Sequence, residues 1–321
     1  MKVSKAVVFE RAGEIKLREV TLREMHADDV LVETYWSSIS AGTEKMLLSG
    51  KLPPMPMTQF PVVPGYETVG KIIAAGANVP ENHLGKFVYV SGSLGYSDVN
   101  AAFGGASQYL VSPVHKTTDL SMLPDVSVGL ALPLAATALH ATDLAQVSGK
   151  KVLVLGQGAV GILVAEFARL FGATKIVATD KVISRLQKSS ADVVIDAGRA
   201  PLNAATQPAE FDAVIDCSGA MQAVDESLNF LMMRGAVVLA GYYERIDLSY
   251  AQAFMKEIKF HVAKQWALGD LERVRELMRT KALDFKKIFT HEKALDETEQ
   301  AYRTAFENPD CLKMILSWQK D

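Results

Sequence analysis

Residues 152–161 read VLVLGQGAVG, an apolar strand that runs straight into Gly156, Gly158 and Gly161. G-x-G-x-x-G between a strand and a helix lets a backbone come close to a pyrophosphate. The first glycine turns the chain, the second removes a side chain that would block the phosphates, and the third lets helix and strand close on each other. The helix start, Ala159 and Val160, adds unpaired N–H groups and the positive end of the helix dipole. A second strand, KIVAT, ends in Asp180, nineteen residues beyond Gly161. An acid at that distance accepts hydrogen bonds from ribose hydroxyls, and its charge repels a 2′-phosphate. The expected cofactor is therefore NAD rather than NADP, a preference that the nearby Lys181 and Arg185 could soften.

Around this motif, short apolar strands alternate with helical stretches: KVLVLG, AVGILVAEFARLFG, KIVATD, DVVIDA, FDAVIDCSG and AVVLAGYY. That alternation predicts a doubly wound parallel sheet of Rossmann type, covered on both faces. Ligands in such sheets sit at the carboxyl ends of the strands. Ser218 and Gly219, after FDAVID, and Gly241 and Tyr242, after AVVLA, are therefore candidates to line the nicotinamide side. Cys217 has no evident partner base and reads as a packed small residue.

Upstream, to about residue 120, the texture is that of a compact β-rich module. KAVVFE, DVLVETYW, TVGKIIAAG and KFVYVSG are separated by Gly, Pro, Asn and Asp. Two segments read as long loops: SAGTEKMLLSGKLPPMPMTQFPVVPG at 40–65, rich in Pro and Met, and SGSLGYSDVNAAFGGAS at 91–107. Loops of that length in a compact domain are often functional, and Met-rich surfaces suit bulky apolar ligands. Downstream of about 265 come charged amphipathic helices and a final strand, CLKMILSW. The expected organisation is a β-rich domain over 1–122, a dinucleotide-binding domain over 123–267 and a C-terminal return to the first domain over 268–321.

The totals exclude several classes. A chain of 321 residues with 49% hydrophobic and 22% charged residues has the balance of a globular protein. A net charge of −3 gives no basic face for nucleic acid. No run of 18 apolar residues predicts an integral membrane span. The N-terminus, MKVSKAVVFE, alternates like a strand and lacks a signal-peptide core. With two cysteines, neither a disulfide framework nor a Cys-rich zinc lobe is expected, and the expected compartment is the cytoplasm.

Residues 64–70, PGYETVG, place Tyr66 and Glu67 side by side between glycines. A β-rich N-terminal module, a central Rossmann domain and a C-terminal return resemble the medium-chain dehydrogenase/reductase superfamily over essentially the whole chain, with a GroES-like catalytic domain first. Zinc-containing members carry a cysteine in a G-I-C-x-T-D-like stretch and a histidine in P-G-H-E. Here the corresponding stretches are SISAGTE at 38–44 and PGYE at 64–67. Ser40 falls at or near the cysteine position, with a one-residue offset, and Tyr66 replaces the histidine. Hydroxyl and phenol are poor zinc ligands beside thiolate and imidazole, so no catalytic zinc is expected. His140, the nearest thing to a catalytic histidine, reads as a helix-packing residue.

Five blocks sharpen the resemblance: AGTEKMLLSGKLPPMP, FPVVPGYETVG, AFGGASQYLV, AFMKEIKFHVAKQW and PDCLKMILSW. They are similar to motifs of the bacteriochlorophyllide 3-hydroxyethyl dehydrogenase branch, of bacteriochlorophyll biosynthesis in photosynthetic bacteria. The resemblance implies oxidation of the C3 1-hydroxyethyl group of a bacteriochlorophyllide, a tetrapyrrole, to acetyl, with NAD as hydride acceptor. It also implies a homodimer that continues the sheet across two subunits, and AVVLAG is the strand read as lying near that edge. Without zinc, Ser40, Thr43, Lys45 and Tyr66 are the candidates to orient the alcohol oxygen or relay its proton, and Glu67 to accept one or to anchor its loop. Met46, Met55, Met57, Phe60, Tyr96, Phe103 and Trp266 are candidate walls for a flat apolar substrate in a wide cleft. Two rival readings are a zinc-independent quinone or enoyl reductase using NADPH, and an idle NAD(H)-binding protein.

Overall fold

The computed structural model describes residues 2–52, 55–202 and 210–319. Pro53 and Pro54 of the Pro- and Met-rich segment lie outside the described residues. The chain forms two compact units. The first comprises Met1–Leu132, Arg275–Ala282 and Phe289–Asp321, and the second Pro133–Val274 and Leu283–Ile288.

These borders differ from the sequence expectation at both joins. The stretch Val126–Ala131 coils as a 3-10 helix on the first unit, where Gly129 sits so close to Leu120 and Val69 that a Cβ would lie 2.4 Å from Leu120 Cδ1. Within the expected C-terminal return, residues 283–288 stay with the second unit. There Phe285 packs on Phe167 with ring centroids 6.3 Å apart, and Lys287 pairs with Glu166. Val126–Ala145 is long and apolar enough to cross a membrane, and 67% of its most apolar window is buried, as in a core helix.

The second unit is the doubly wound sheet that the glycine motif predicts. Six parallel strands lie in the order Val193–Asp196, Lys175–Asp180, Lys151–Leu155, Phe211–Asp216, Leu231–Leu239 and Lys259–Val262. The helix Ala159–Leu170 buries Ile162, Leu163, Val164 and Phe167 against it, each worth about 1.5–3 kcal/mol of hydrophobic stabilisation. AVVLAG lies near the edge, as expected, but one strand in from it: Leu231–Leu239 is covered by Lys259–Val262, and this last strand carries exposed Phe260 and Val262. The lysine and histidine in KFHV disguise it, because a short edge strand needs no continuous apolar run.

The first unit holds two sheets. Four strands order as Glu14–Thr21, Val3–Arg11, Val62–Pro64 and Asn100–Ala102. A seven-stranded sheet runs Phe289–Ala294, Lys313–Ser317, Asp29–Ile39, Thr68–Ala75, Phe87–Val90 and Thr117–Asp119, with Tyr109–Pro113 also paired to Asp29–Ile39. The C-terminal strand is inserted between Phe289–Ala294 and Asp29–Ile39, antiparallel to the latter, so both ends of the sequence build this sheet.

The segment read as one long loop at 40–65 is more ordered than expected. It holds a helix, Ala41–Leu48, a 3-10 turn, Pro56–Thr58, and the strand Val62–Pro64. Two helical turns opening on Ala-Gly are too short to show a period of 3.6, and such a helix is stable only through packing. Leu47 and Glu44 supply that packing, both buried. The second supposed loop contains the strand Asn100–Ala102.

Candidate active site

The glycine turn fits a dinucleotide. Gly156 has φ +85°, and a Cβ on Gly161 would lie 1.9 Å from the Gly156 carbonyl oxygen, so both positions require glycine. A Cβ on Gly158 would meet nothing within 4 Å; its absence leaves open room over the helix start at Ala159 and Val160. Asp180 is already oriented: Gln157 N–H donates to Oδ2 at 2.6 Å and Val182 N–H to Oδ1 at 2.8 Å. A carboxylate oxygen keeps a second lone pair after such a bond, enough to accept from ribose hydroxyls. Lys181 points to solvent beside it.

Across the glycine strand from Asp180, the loops after Phe211–Asp216 and Leu231–Leu239 carry Ser218, Gly219 and Gly241 close together. A Cβ on Gly241 would sit 2.7 Å from the Gly219 Cα. Tyr242 is 55% exposed, and it is Tyr243 whose hydroxyl is held, by Asp216. Burial beside Asp216 pushes the Cys217 thiol well up, so this cysteine is no nucleophile. Trp266 is half-buried in this second unit.

In the first unit the structure gathers hydroxyls. The Ser40 and Tyr66 hydroxyls share a hydrogen bond of 2.5 Å, and Thr43, on the first turn of Ala41–Leu48, lies near the same phenol. Burial first, and the Glu67 charge second, push the Tyr66 phenol up, so it keeps its proton and acts as a donor. Phe103 packs edge-on against the Tyr66 ring at 5.4 Å.

Lys45 does not join this group. It follows Thr43 by two residues, which places it on the other side of a 3.6-residue turn, and its Nζ donates to the Phe306 carbonyl at 3.0 Å. Tyr96 is no wall either: it lies in the core of the first unit and gives its hydroxyl to the Gly104 carbonyl at 2.6 Å. Met55 and Phe60 do line a pocket, of 390 Å³, with Leu47, Leu52 and Gln59. Met57 is half-buried in the turn Pro56–Thr58, and Met46 is half-buried on the helix. His140 lies 3.7 Å from Asp270 on the helix Leu132–Ala145, a packing position.

Beneath Tyr66 lies a buried charged layer that local sequence did not disclose. Glu67 is fully buried; its Oε2 accepts from Lys313 Nζ at 2.6 Å and from the Ser38 hydroxyl, while its Oε1 has no partner among the described residues. Lys313 also donates to the Ile39 carbonyl. Glu44 accepts from the Ser40 N–H at 2.8 Å and from the Tyr302 hydroxyl at 2.8 Å. Burial pushes the Glu44 carboxyl up to about 7, with Glu67 adding to the rise and the Ser40 and Tyr302 bonds and Lys313 opposing it.

A raised carboxyl binds its proton more tightly folded than unfolded. Its stabilising contribution is complete below 4.5 and is lost as pH climbs through about 7, a swing of roughly 3 kcal/mol. Stability should therefore decline between pH 5 and 8, and Glu44→Gln, which cannot titrate, should remove most of that slope. Denaturant melts across this range check it; an unaltered slope in the variant counts against Glu44.

Comparison with known proteins shows the family. The zinc-binding dehydrogenase family pattern matches residues 159–282, and the alcohol dehydrogenase GroES-like domain matches residues 26–124. The chain is 33% identical to the 2-desacetyl-2-hydroxyethyl bacteriochlorophyllide A dehydrogenase of Cereibacter sphaeroides, over 98% of both chains. The chain belongs to the medium-chain dehydrogenase/reductase superfamily. A second relative of that name, from Rhodobacter capsulatus, is 33% identical over 91% of this chain and 90% of its own. The resemblance read from the five sequence blocks thus holds over nearly the whole length.

As a medium-chain dehydrogenase, the chain acts on an alcohol and binds a nicotinamide cofactor. The fold is shared with a zinc-binding dehydrogenase of Sinorhizobium meliloti solved with NADP (TM-score 0.86, 22% identity, 99% of this chain and 100% of that one). It is shared too with an alcohol dehydrogenase of Escherichia coli CFT073 solved with NADH (TM-score 0.85, 19% identity, 99% and 100%). The zinc implied by the family description does not fit these side chains. Phenol and hydroxyl stand where zinc members carry imidazole and thiolate, and among the described residues no group of three His, Cys, Asp or Glu could hold a metal.

Proposed function

We propose that this dehydrogenase oxidises the C3 1-hydroxyethyl group of a bacteriochlorophyllide a precursor to acetyl, with NAD and without catalytic zinc. The observation that carries the reading is the Tyr66, Ser40 and Thr43 hydroxyl cluster in a chain 33% identical to two enzymes of that name. Bound NAD supplies the hydride-accepting carbon. The chain supplies everything else. Tyr66 keeps its proton and donates a hydrogen bond to the substrate oxygen, and that bond strengthens as the alcohol loses its proton and alkoxide charge builds on the oxygen, before the C–H electrons pass to the nicotinamide. Ser40 and Thr43 hold the hydroxyl in line, and their oxygens accept its proton for relay to water. Glu67, already committed to Lys313 and Ser38, anchors the loop under Tyr66.

Asp180, with both oxygens oriented by backbone N–H groups, favours NAD over NADP. Thr43 and Leu47 are one helical turn apart on one face of Ala41–Leu48, about 6 Å along the axis. The 390 Å³ pocket that Leu47 lines with Leu52, Met55 and Phe60 is suited to an apolar edge of the macrocycle, placed one turn from the reacting oxygen. The homodimer would form on Lys259–Val262, whose Phe260 and Val262 are exposed at a sheet edge unpaired among the described residues.

The test is a spectrum. Protein mixed with 3-(1-hydroxyethyl)bacteriochlorophyllide a and NAD, with chelator throughout, should shift the long-wavelength band to the red as the acetyl group extends conjugation. NADP should support a much slower shift. No shift with either cofactor while NADH still binds would overturn the substrate, and a shift abolished by chelator would overturn the zinc-free mechanism.

A further inference from the structure

Two neighbouring strand ends in the second unit meet at one residue that the proposed chemistry does not use. Asp216, the last residue of Phe211–Asp216, is fully buried. Its Oδ1 accepts from the Ser218 N–H at 3.2 Å and the Ser218 hydroxyl at 2.6 Å. Its Oδ2 accepts from the Gly219 N–H at 3.1 Å and from the Tyr243 hydroxyl. Its carbonyl oxygen takes the N–H groups of Ala240 at 2.9 Å and Gly241 at 3.1 Å. One residue thus ties its own loop, 217–219, to the loop of the next strand, 240–243.

The surroundings allow no slack. A Cβ on Gly156 would lie 2.8 Å from the Ser218 Cα, and one on Gly241 would lie 2.8 Å from Asp216 Oδ2. No salt-bridge partner accompanies Asp216 among the described residues; four hydrogen-bond donors hold the carboxylate instead. A buried polar group of this kind is tolerated only when every partner is in place, and then it rigidifies what it joins. The sheet order gives that rigidity a purpose. The glycine turn follows Lys151–Leu155, Asp180 ends the strand on one side of it, and the Asp216 loops end the two strands on the other side. A dinucleotide centred on the glycine turn puts its adenosine towards Asp180 and its nicotinamide half towards 217–219 and 240–243.

We propose that Asp216 is a positioning residue for the nicotinamide half of the cofactor, with the Tyr243 hydroxyl as the latch that holds the second loop to the first. The inference rests on nicotinamide dinucleotide binding alone and is independent of the pigment. Burial and the Asp216 charge both keep the Tyr243 phenol protonated, as a latch donor must be.

The experiment compares NADH with ADP-ribose, which lacks the nicotinamide, by titration of the full chain. Tyr243→Phe should weaken NADH at least fivefold and ADP-ribose less than twofold. Asp216→Asn should weaken NADH at least tenfold with the same sparing of ADP-ribose. The KM for NAD should rise in step while kcat changes less. Unchanged NADH affinity in Tyr243→Phe, or equal loss of NADH and ADP-ribose, overturns the proposal. If Asp216→Asn does not fold, Tyr243→Phe, which removes one oxygen from a half-buried ring, decides alone.

Discussion

Tyr66→Phe should lower turnover at least tenfold while NADH affinity and melting temperature stay near their starting values. The substitution keeps the ring, and with it the edge-on packing against Phe103. It removes one hydroxyl, the one that shares a hydrogen bond with Ser40 at 2.5 Å. Donors aimed at a developing oxygen charge are worth about 10²–10³ in rate when deleted singly. Tenfold is a lower bound, because Ser40 and Thr43 remain and a water can take the vacated place. The loss should appear in kcat, since the cofactor-binding glycines and Asp180 are untouched. Unaltered kcat would remove the phenol from the mechanism and leave Tyr66 a packing residue.

Lys313→Met should destabilise the first unit by about 3–5 kcal/mol, a shift of roughly two to nearly four powers of ten in its folding equilibrium. Lys313 and Glu67 have 3% and 0% side-chain exposure, and their contact is 2.6 Å. Surface pairs are worth little, but a charge stranded in the interior is expensive. Without Lys313, Glu67 keeps only the Ser38 hydroxyl, and its second oxygen already lacks a partner among the described residues. The check is a denaturant titration of Lys313→Met beside the double variant Lys313→Met, Glu67→Gln. The double variant should recover most of the loss, because no uncompensated charge remains. Equal loss in both variants would mean that the lysine stem, not its charge, matters.

How much of this was legible in the sequence depended on distance along the chain. The glycine turn and Asp180 are close in sequence, and their chemistry is carried by spacing, so they could be read directly. Tyr66, Ser40 and Thr43 were legible through the family's metal-site pattern. Their partners were not: Tyr302 reaches Glu44 from 258 residues away, and Lys313 reaches Glu67 from 246. No local pattern reports a contact of that range; only the insertion of the last strand into the sheet creates it. Lys45 and Tyr96 escape the sequence for different reasons: a helix of eight residues carries no legible period, so the side on which Lys45 projects is hidden, and Tyr96 is buried by strands far away in sequence. Asp216 and Tyr243 were passed over because the register of two parallel strands, not any motif, brings them together.

The placement of Lys313–Ser317 between Phe289–Ala294 and Asp29–Ile39 has a consequence for the order in which the protein can mature. During synthesis the second unit, nearly continuous in sequence, can close while the ribosome is still working. The first unit cannot. Until Lys313–Ser317 emerges, the Trp36–Ile39 end of Asp29–Ile39 presents open backbone groups to any passing strand. Glu67 meanwhile waits without its cation. The hydroxyl cluster above it is therefore completed only after the second unit, and a nascent chain stalled short of residue 313 holds the cofactor site without the finished apparatus for the alcohol.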